Sequence, residues 1–454
     1  MRLALELALA RSAGRLSRLA GRGGGTTIPG KILATIDPES LSTLAARLPR
    51  GTAVISATNG KTTTAALVAA ILGKNVRLAH NGSGANLVSG VASTLVEARN
   101  AELGLFEVDE GAFPEVARRI RPRAVCLGNL FRDQLDRYGE LEQIAERWRG
   151  AVAELPAATT LAANADDPQV GDLAVSRPGS VTFGIDDPAQ ARPTLQHASD
   201  SKYCLHCGTP YVYAAAYVGH LGDYRCPACG HARPALDIAA RAIELHGLEA
   251  VSFELVAPEG MRRVRLGLPG LYNVYNALAA ATLSRALGAG LDEVVAGLES
   301  APPAFGRAER IAVGSRTLLL LLIKNPAGAN EVVRTVIAAG APKVAVVALN
   351  DAIADGRDVS WIWDVDFEPL LQSLERVVVS GGRAAELALR FTYAGFPANA
   401  VEIVPQLGAA LDRGLELTPE GGELAVLPTY TAMLALRDIV VRRGYVRPYW
   451  ERAA

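Results

Sequence analysis

The sequence predicts an α/β protein of two main units, the first carrying a cysteine-rich insertion, and three observations predict it. Apolar strand-like runs alternate with helix-like patterns from about Thr52 to Ser300, the rhythm of a mostly parallel sheet with helices on both faces. That rhythm breaks over Ser199 to Pro234, where four of the five cysteines lie. A second strand–helix rhythm runs from about Ile311 to the end, beyond the turn Ala301-Pro302-Pro303-Ala304-Phe305-Gly306, a natural domain boundary. The expected division is 1–50 as an N-terminal helix and Gly-rich segment, 51–305 as a central domain with an insertion at 199–234, and 306–454 as a C-terminal domain.

Composition sets the outer limits. At 454 residues the chain is too long for one hydrophobic core. Half of it is hydrophobic, a fifth is charged, and the formal net charge is -1. That is ordinary for a soluble globular protein and makes no electrostatic case for nucleic acid. No run approaches the roughly 18 apolar residues that span a bilayer, so no transmembrane segment is expected. Met1 to Arg22, with five arginines, reads as an amphipathic helix; plain packing is its commoner use, and resting on the inner membrane face is the other. Clustered cysteines speak for metal over disulfides, hence for a cytoplasmic setting.

Along the chain, Gly21 to Gly30 reads as a linker or binding loop ending in Ile28-Pro29-Gly30. Strands are expected at Thr52 to Ser56, Gly104 to Val108 and Ala124 to Leu127, with a helix at Thr62 to Leu72. In the second unit they are expected at Thr317 to Ile323, Val344 to Leu349, Arg376 to Val379 and Leu424 to Leu427.

Between the first strand and its helix stands Thr58-Asn59-Gly60-Lys61-Thr62. Strand, Asn-Gly-Lys-Thr, helix is what a triphosphate needs. Backbone N–H groups and the helix N-terminus face the anion, Lys61 neutralises phosphate charge, and Thr62 can ligate Mg²⁺. Ile55 stands where the general P-loop pattern has glycine, so the match is to a shorter loop. Glu107 ends a strand expected beside this one, a usual place for a Mg²⁺-holding carboxylate. Gly306-Arg307-Ala308-Glu309 lies at the boundary, where Arg307 can reach a γ-phosphate.

Cys204-x-x-Cys207 and Cys226-x-x-Cys229, 18 residues apart, have zinc-ribbon spacing. Two knuckles of two thiolates close a tetrahedral Zn²⁺ site with no open position, which is structural and not catalytic. With four thiolates the metal is saturated, so His206, His220 and His231 are expected to face solvent.

These motifs together resemble the Mur ligase family. The loop looks like its ATP loop, with Ala57 where the family commonly has glycine. Asn129 to Gly139 is similar to its Asn-x-x-x-Asp-His-Leu-Asp stretch with Gln134 for His, and Asn164-Ala165-Asp166-Asp167 to its Asn-x-Asp-Asp segment. Leu271 to Ala280 is similar to its His-Asn-x-x-Asn helix with Tyr272 for His. The resemblance implies a Mur ligase-type central P-loop ATPase domain and a C-terminal Rossmann-like domain. It implies ATP held by Thr58, Asn59, Gly60, Lys61, Thr62, Thr63, Asn273, Asn276 and Arg307, Mg²⁺ held by Thr62 and Glu107, and catalytic roles for Glu107 and Arg307.

The far end narrows the resemblance. Ile323 to Glu331, Leu349 to Glu368 and Thr429 to Leu434 resemble the branch that supplies the synthetase subunit of lipid II isoglutaminyl synthase. By composition alone, Leu349 to Glu368 reads as a solvated acidic loop closed by aromatic packing. The resemblance implies ATP-dependent amidation of D-glutamate in the stem peptide of lipid II to D-isoglutamine, for peptidoglycan synthesis. Glutamine hydrolysis needs a Cys–His pair, yet the chain has no His after His246 and only Cys126 outside the cluster, in an expected buried strand. A partner must supply the glutaminase. The resemblance implies a GatD-type subunit in a heterodimer, its Cys–His pair completed by Asp358, with Asp355 and Asp364 as close competitors. Two other classes stay open: a folylpolyglutamate-type amino-acid ligase, and a non-catalytic nucleotide-binding scaffold.

Overall fold

The computed structural model describes residues 2–19, 27–82, 84–133, 140–196, 199–301, 309–340 and 342–446. Arg307, the turn at 302–306 and most of the Gly-rich stretch lie outside the described residues, as does the 134–139 segment.

Two sheets organise the chain. The first contains β1 (Thr52–Ser56), β2 (Leu78–His80), β3 (Leu103–Glu107), β4 (Ala124–Leu127), β5 (Thr160–Asn164) and β6 (Val181–Ile185). Strands β7 (Val212–Val218) and β8 (Leu221–Arg225) leave it as a separate hairpin, and β9 (Ile238–His246), β10 (Ala250–Ala257) and β11 (Gly260–Leu266) return to it. The order is β11-β10-β9-β6-β5-β4-β1-β3-β2. Pairing is parallel from β9 to β2, and antiparallel only where β9, β10 and β11 follow one another through tight turns.

Burial explains the parallel part. Every residue of β1, β3 and β4 is buried, as parallel strands covered on both faces require. Alternation then sorts their side chains. Ala53 and Ile55 face a core shared with the helices Lys61–Leu72 and Leu271–Ala286. Val54 faces the opposite core with Phe106, Phe113 and Trp148.

The second sheet holds β12 (Glu309–Val313), β13 (Arg316–Leu320), β14 (Val344–Ala348), β15 (Arg376–Ser380), β16 (Val401–Ile403) and β17 (Glu423–Pro428), in the order β12-β13-β17-β14-β15-β16. It is parallel apart from the β12–β13 hairpin.

One local reading needs correction. Ile28-Pro29-Gly30 is neither linker nor binding loop but the start of the helix Ile28–Ile36. Proline suits a first helical turn, where its missing N–H costs nothing. Gly30 is buried against the helix Val88–Glu97, its N–H 2.8 Å from Ser93 Oγ, and a Cβ there would lie 2.0 Å from the Ser89 carbonyl. Close packing, not flexibility, uses that glycine.

Candidate active site between the two sheets

The chain reverses direction across the first sheet at β1, which has β3 on one side and β4 on the other. Such a switch point opens a crevice at the carboxyl ends of the strands. The loop after β1 therefore meets the end of β3, and pairing of Ile55 with Glu107 brings the two together. Gly60 caps the helix Lys61–Leu72 with φ at +92. A side chain there would be strained by that left-handed backbone and would meet Asn276 Oδ1 at 2.0 Å.

The loop is laced to its neighbours by amides. Asn129 Oδ1 accepts the Asn59 N–H at 2.9 Å, while its Nδ2 donates to the Asn59 carbonyl at 3.0 Å. From the second unit, Asn325, which caps the helix Pro326–Ala338, exchanges two side-chain bonds with Asn59, at 3.2 and 3.0 Å. Asn81 grips the Glu107 backbone in the same reciprocal way, at 2.8 and 2.9 Å. Asn325 lies in the Ile323 to Glu331 segment named from the sequence, without a role there; Asn81 falls in no motif.

Charges line the crevice in alternation. Lys61 Nζ lies 2.7 Å from Glu110 Oε2 and also bonds the loop carbonyls of Ala57 and Thr58. Burial pushes the Glu110 carboxyl up, but the ammonium groups of Lys61 and Lys324 outweigh it and leave Glu110 more acidic than usual. Lys324, from the second domain, pairs with Asp133 of the first. Burial dominates at Asp133 and raises its pKa, with Glu110 adding to the rise against Lys324. These residues share a cavity of about 360 Å³ with Thr58, Asn59, Gly60, Thr62, Glu107 and Asn276.

Not every candidate faces that cavity. Asn273 is buried behind it, donating to the Pro269 carbonyl at 2.7 Å and accepting from Asn276 Nδ2 at 2.9 Å. It holds Asn276, which does line the cavity. Thr63 is buried too and is absent from the cavity wall. In a helix, neighbours in sequence point about 100° apart, so Thr62 and Thr63 part company.

The four cysteines converge. Cys204 and Cys229 sulfurs are 3.5 Å apart, Cys207 and Cys226 likewise, and all four lie within 4.8 Å of one another. A tetrahedron with Zn–S of about 2.3 Å has edges of about 3.8 Å, so the set fits a four-thiolate metal. Hydrogen bonds with Thr209 draw the Cys207 thiol down to about 6, toward the thiolate that a metal requires. At Cys229 the His231 backbone bond works the same way, but bonds with the other three cysteines outweigh it and push the thiol up.

The histidines correct the expectation of solvent exposure. His206 is exposed, but His220 is wholly buried, ring against Phe131 and Nε2 3.3 Å from Asp167. Asp167 also caps the helix Pro168–Val175 and accepts the Leu130 N–H at 2.8 Å. His220 thus keys the inserted hairpin into the Asn129 loop. His231 is mostly covered, its Nδ1 2.7 Å from the Tyr211 hydroxyl.

The three C-terminal aspartates separate cleanly. Asp355 is buried and bound by the Thr431 N–H at 2.8 Å and by the Thr431 hydroxyl. Asp364 is ion-paired with Arg132 at 3.4 Å. Asp358 is exposed, and the Ser360 hydroxyl and N–H hold its carboxyl below the usual range. The reading as a solvated acidic loop closed by aromatic packing holds for most of this stretch, with Asp351 and Asp358 exposed and Trp363 and Phe367 packed on Tyr393 and Phe391. Asp355 departs from it as a buried internal clamp.

A phosphate loop at a switch point, facing a second α/β sheet across a charged crevice, defines a Mur-type nucleotide-dependent ligase. The family described as Mur ligase middle domain matches residues 55–224, and that described as MurT ligase C-terminal matches 322–433. The pseudomurein peptide ligase type C of Methanothermus fervidus superposes with TM-score 0.71 at 20% identity, over 88% of this chain and 80% of that one. MurF of Acinetobacter baumannii gives 0.64 at 18%, over 88% and 79%. "Lipid II isoglutaminyl synthase (glutamine-hydrolyzing) subunit MurT" of Streptococcus pneumoniae is 33% identical over 98% of this chain and 99% of its own. The Staphylococcus aureus subunit of the same name is 33% identical over 87% and 88%. The chain belongs to the MurT family.

Proposed function

We propose that this chain is the synthetase subunit of a lipid II isoglutaminyl synthase, amidating the D-glutamate α-carboxylate of the stem peptide with ATP and ammonia. The observation that carries the reading is the single cavity walled by Lys61 and Glu107 on one side and by Lys324, Ala354 and Tyr430 of the MurT-type segment on the other. A carboxylate does not condense with ammonia at neutral pH. One carboxylate oxygen first attacks the γ-phosphorus of ATP and ADP leaves; ammonia then attacks the acyl carbon and phosphate departs.

The chain's own groups supply position and charge for these steps. Lys61 must exchange Glu110 for phosphate oxygens, and the helix N-terminus after Gly60 presents N–H groups to the same anion. Thr62 and Glu107 are the residues that would hold Mg²⁺, which neutralises charge on the phosphates when bound. Arg307, outside the described residues, is assigned to the γ-phosphate from the resemblance alone. Ammonia must come from elsewhere: Cys126 is buried in β4 and its thiol is pushed up to about 12, unsuited to nucleophilic work. We assign that supply to a GatD-type glutaminase partner. Among the described residues no helix is long and apolar enough to cross a membrane. We place the chain at the cytoplasmic face because the proposed substrate presents its stem peptide there.

The test is ATP cleavage and amidation with lipid II, given either ammonium or glutamine plus the glutaminase. Ammonium-supported amidation by the chain alone is the expected result. Turnover that requires an added amino acid favours an amino-acid ligase and sinks the reading, and no turnover with either source favours the scaffold.

We assign Zn²⁺ to the four-cysteine cluster. Cys204→Ser is expected to lower bound zinc from about one per chain to near zero by elemental analysis, and to lower the melting temperature, because such binding is coupled to local folding. Full zinc retention in this variant refutes the assignment.

A further inference from the structure

Lys324 lies in the Ile323 to Glu331 segment that carries the resemblance, without a role there. It sits one position before Asn325, whose amide latches the phosphate loop. Its backbone is thereby fixed beside that loop from the opposite wall. Its side chain is 31% exposed to the crevice and reaches across to Asp133. Burial works against its charge, but Asp133, Glu110 and Asp109 outweigh that and keep it protonated.

Glu110 is shared. It bonds Lys61 directly and feels Lys324 through space, so carboxylates of the chain stand where two cations face one cavity. An anion entering between the two walls meets an ammonium from each. Lys61 belongs to the phosphate loop and serves the nucleotide. Lys324 comes from the MurT-type segment, on the side from which a second substrate must approach.

We propose that Lys324 binds the substrate carboxylate and then the acyl phosphate formed from it, taking these anions in exchange for Asp133. This rests on the amidation reading above. Its contribution is electrostatic: Lys324 keeps its proton while the carboxylate oxygen bonds to the γ-phosphorus, the bond to the departing ADP breaks, and ammonia later displaces phosphate. An ammonium fixed at the transferring group stabilises charge that grows in the transition state.

The experiment uses the full-length chain with lipid II, Mg²⁺, ATP and ammonium, so that the partner is not needed. Lys324→Met is expected to lower kcat/KM for lipid II by roughly 100-fold, the usual order for one such donor. Affinity for a non-hydrolysable ATP analogue should stay within about threefold, and a thermal melt should confirm folding. An alternative role is mere neutralisation of Asp133, and a double-mutant cycle separates it. In an Asp133→Asn background the added Lys324→Met change should still cost about 100-fold; a cost near unity there overturns the proposal. So does a Lys324→Met chain with unaltered kcat/KM, or one whose loss follows lost nucleotide affinity. Inactivity of the unmodified chain with ammonium counts instead against the amidation reading itself.

Discussion

Lys61→Met should reduce ammonium-supported amidation by roughly 100- to 1,000-fold, the loss expected for one preorganised donor at a site of developing charge. Methionine preserves an unbranched apolar stem, so packing in the buried first turn of the helix Lys61–Leu72 changes little. What disappears is the charge that bonds Glu110 at 2.7 Å. Removing one member of a buried pair leaves the other uncompensated, so a stability defect must be separated from a catalytic one. Glu110→Gln in the same chain removes the orphaned charge. The double variant should recover thermal stability and remain inactive. Activity within tenfold of the parent in folded Lys61→Met protein would remove the loop from the mechanism.

Asp358→Asn should lower glutamine-driven amidation, measured with the glutaminase partner, by about 10³- to 10⁴-fold, the scale for losing the carboxylate that orients a catalytic histidine. Ammonium-driven amidation should stay within about twofold, because the residue is exposed and absent from the walls of the ATP-side cavity. Its competitors are committed inside the chain. Asp355→Asn weakens the clamp on Thr431 and should reduce both activities together through the C-terminal domain. Asp364→Asn breaks only a half-exposed pair with Arg132 and should cost little, as such pairs are worth about 1 kcal/mol or less. Equal loss of both activities in Asp358→Asn would refute the role assigned to it.

The features legible in the sequence were those set by short-range geometry. A phosphate loop needs Gly60 at a left-handed turn followed at once by Lys61 and a helix, all within seven residues. A four-thiolate site needs two Cys-x-x-Cys knuckles, and their spacing survives whatever the surrounding hairpin does. Glu107 could be placed because adjacent parallel strands end together. The histidines misled for a related reason. Residue type and spacing to a metal site say nothing about packing, and His220 is decided by Phe131 and Asp167, which are remote in sequence.

The segment holding Lys324 and Asn325 could be picked out by resemblance, but not what these two side chains touch, because their partners are distant. Asn325 lies 266 residues from Asn59, and Lys324 lies 191 from Asp133. No periodicity encodes such a meeting; it follows from how two independently formed sheets pack. Local geometry made other distinctions: Asn273 sits one helical turn behind Asn276, and Thr431 claims Asp355 while Asp358 stays exposed. By itself, then, the sequence marked a candidate phosphate loop, four cysteines at metal-site spacing and the lack of a Cys–His pair outside that cluster. Tertiary structure alone decided which charges share the crevice, because a Coulomb interaction depends on separation in space and on burial, and neither is written along the chain.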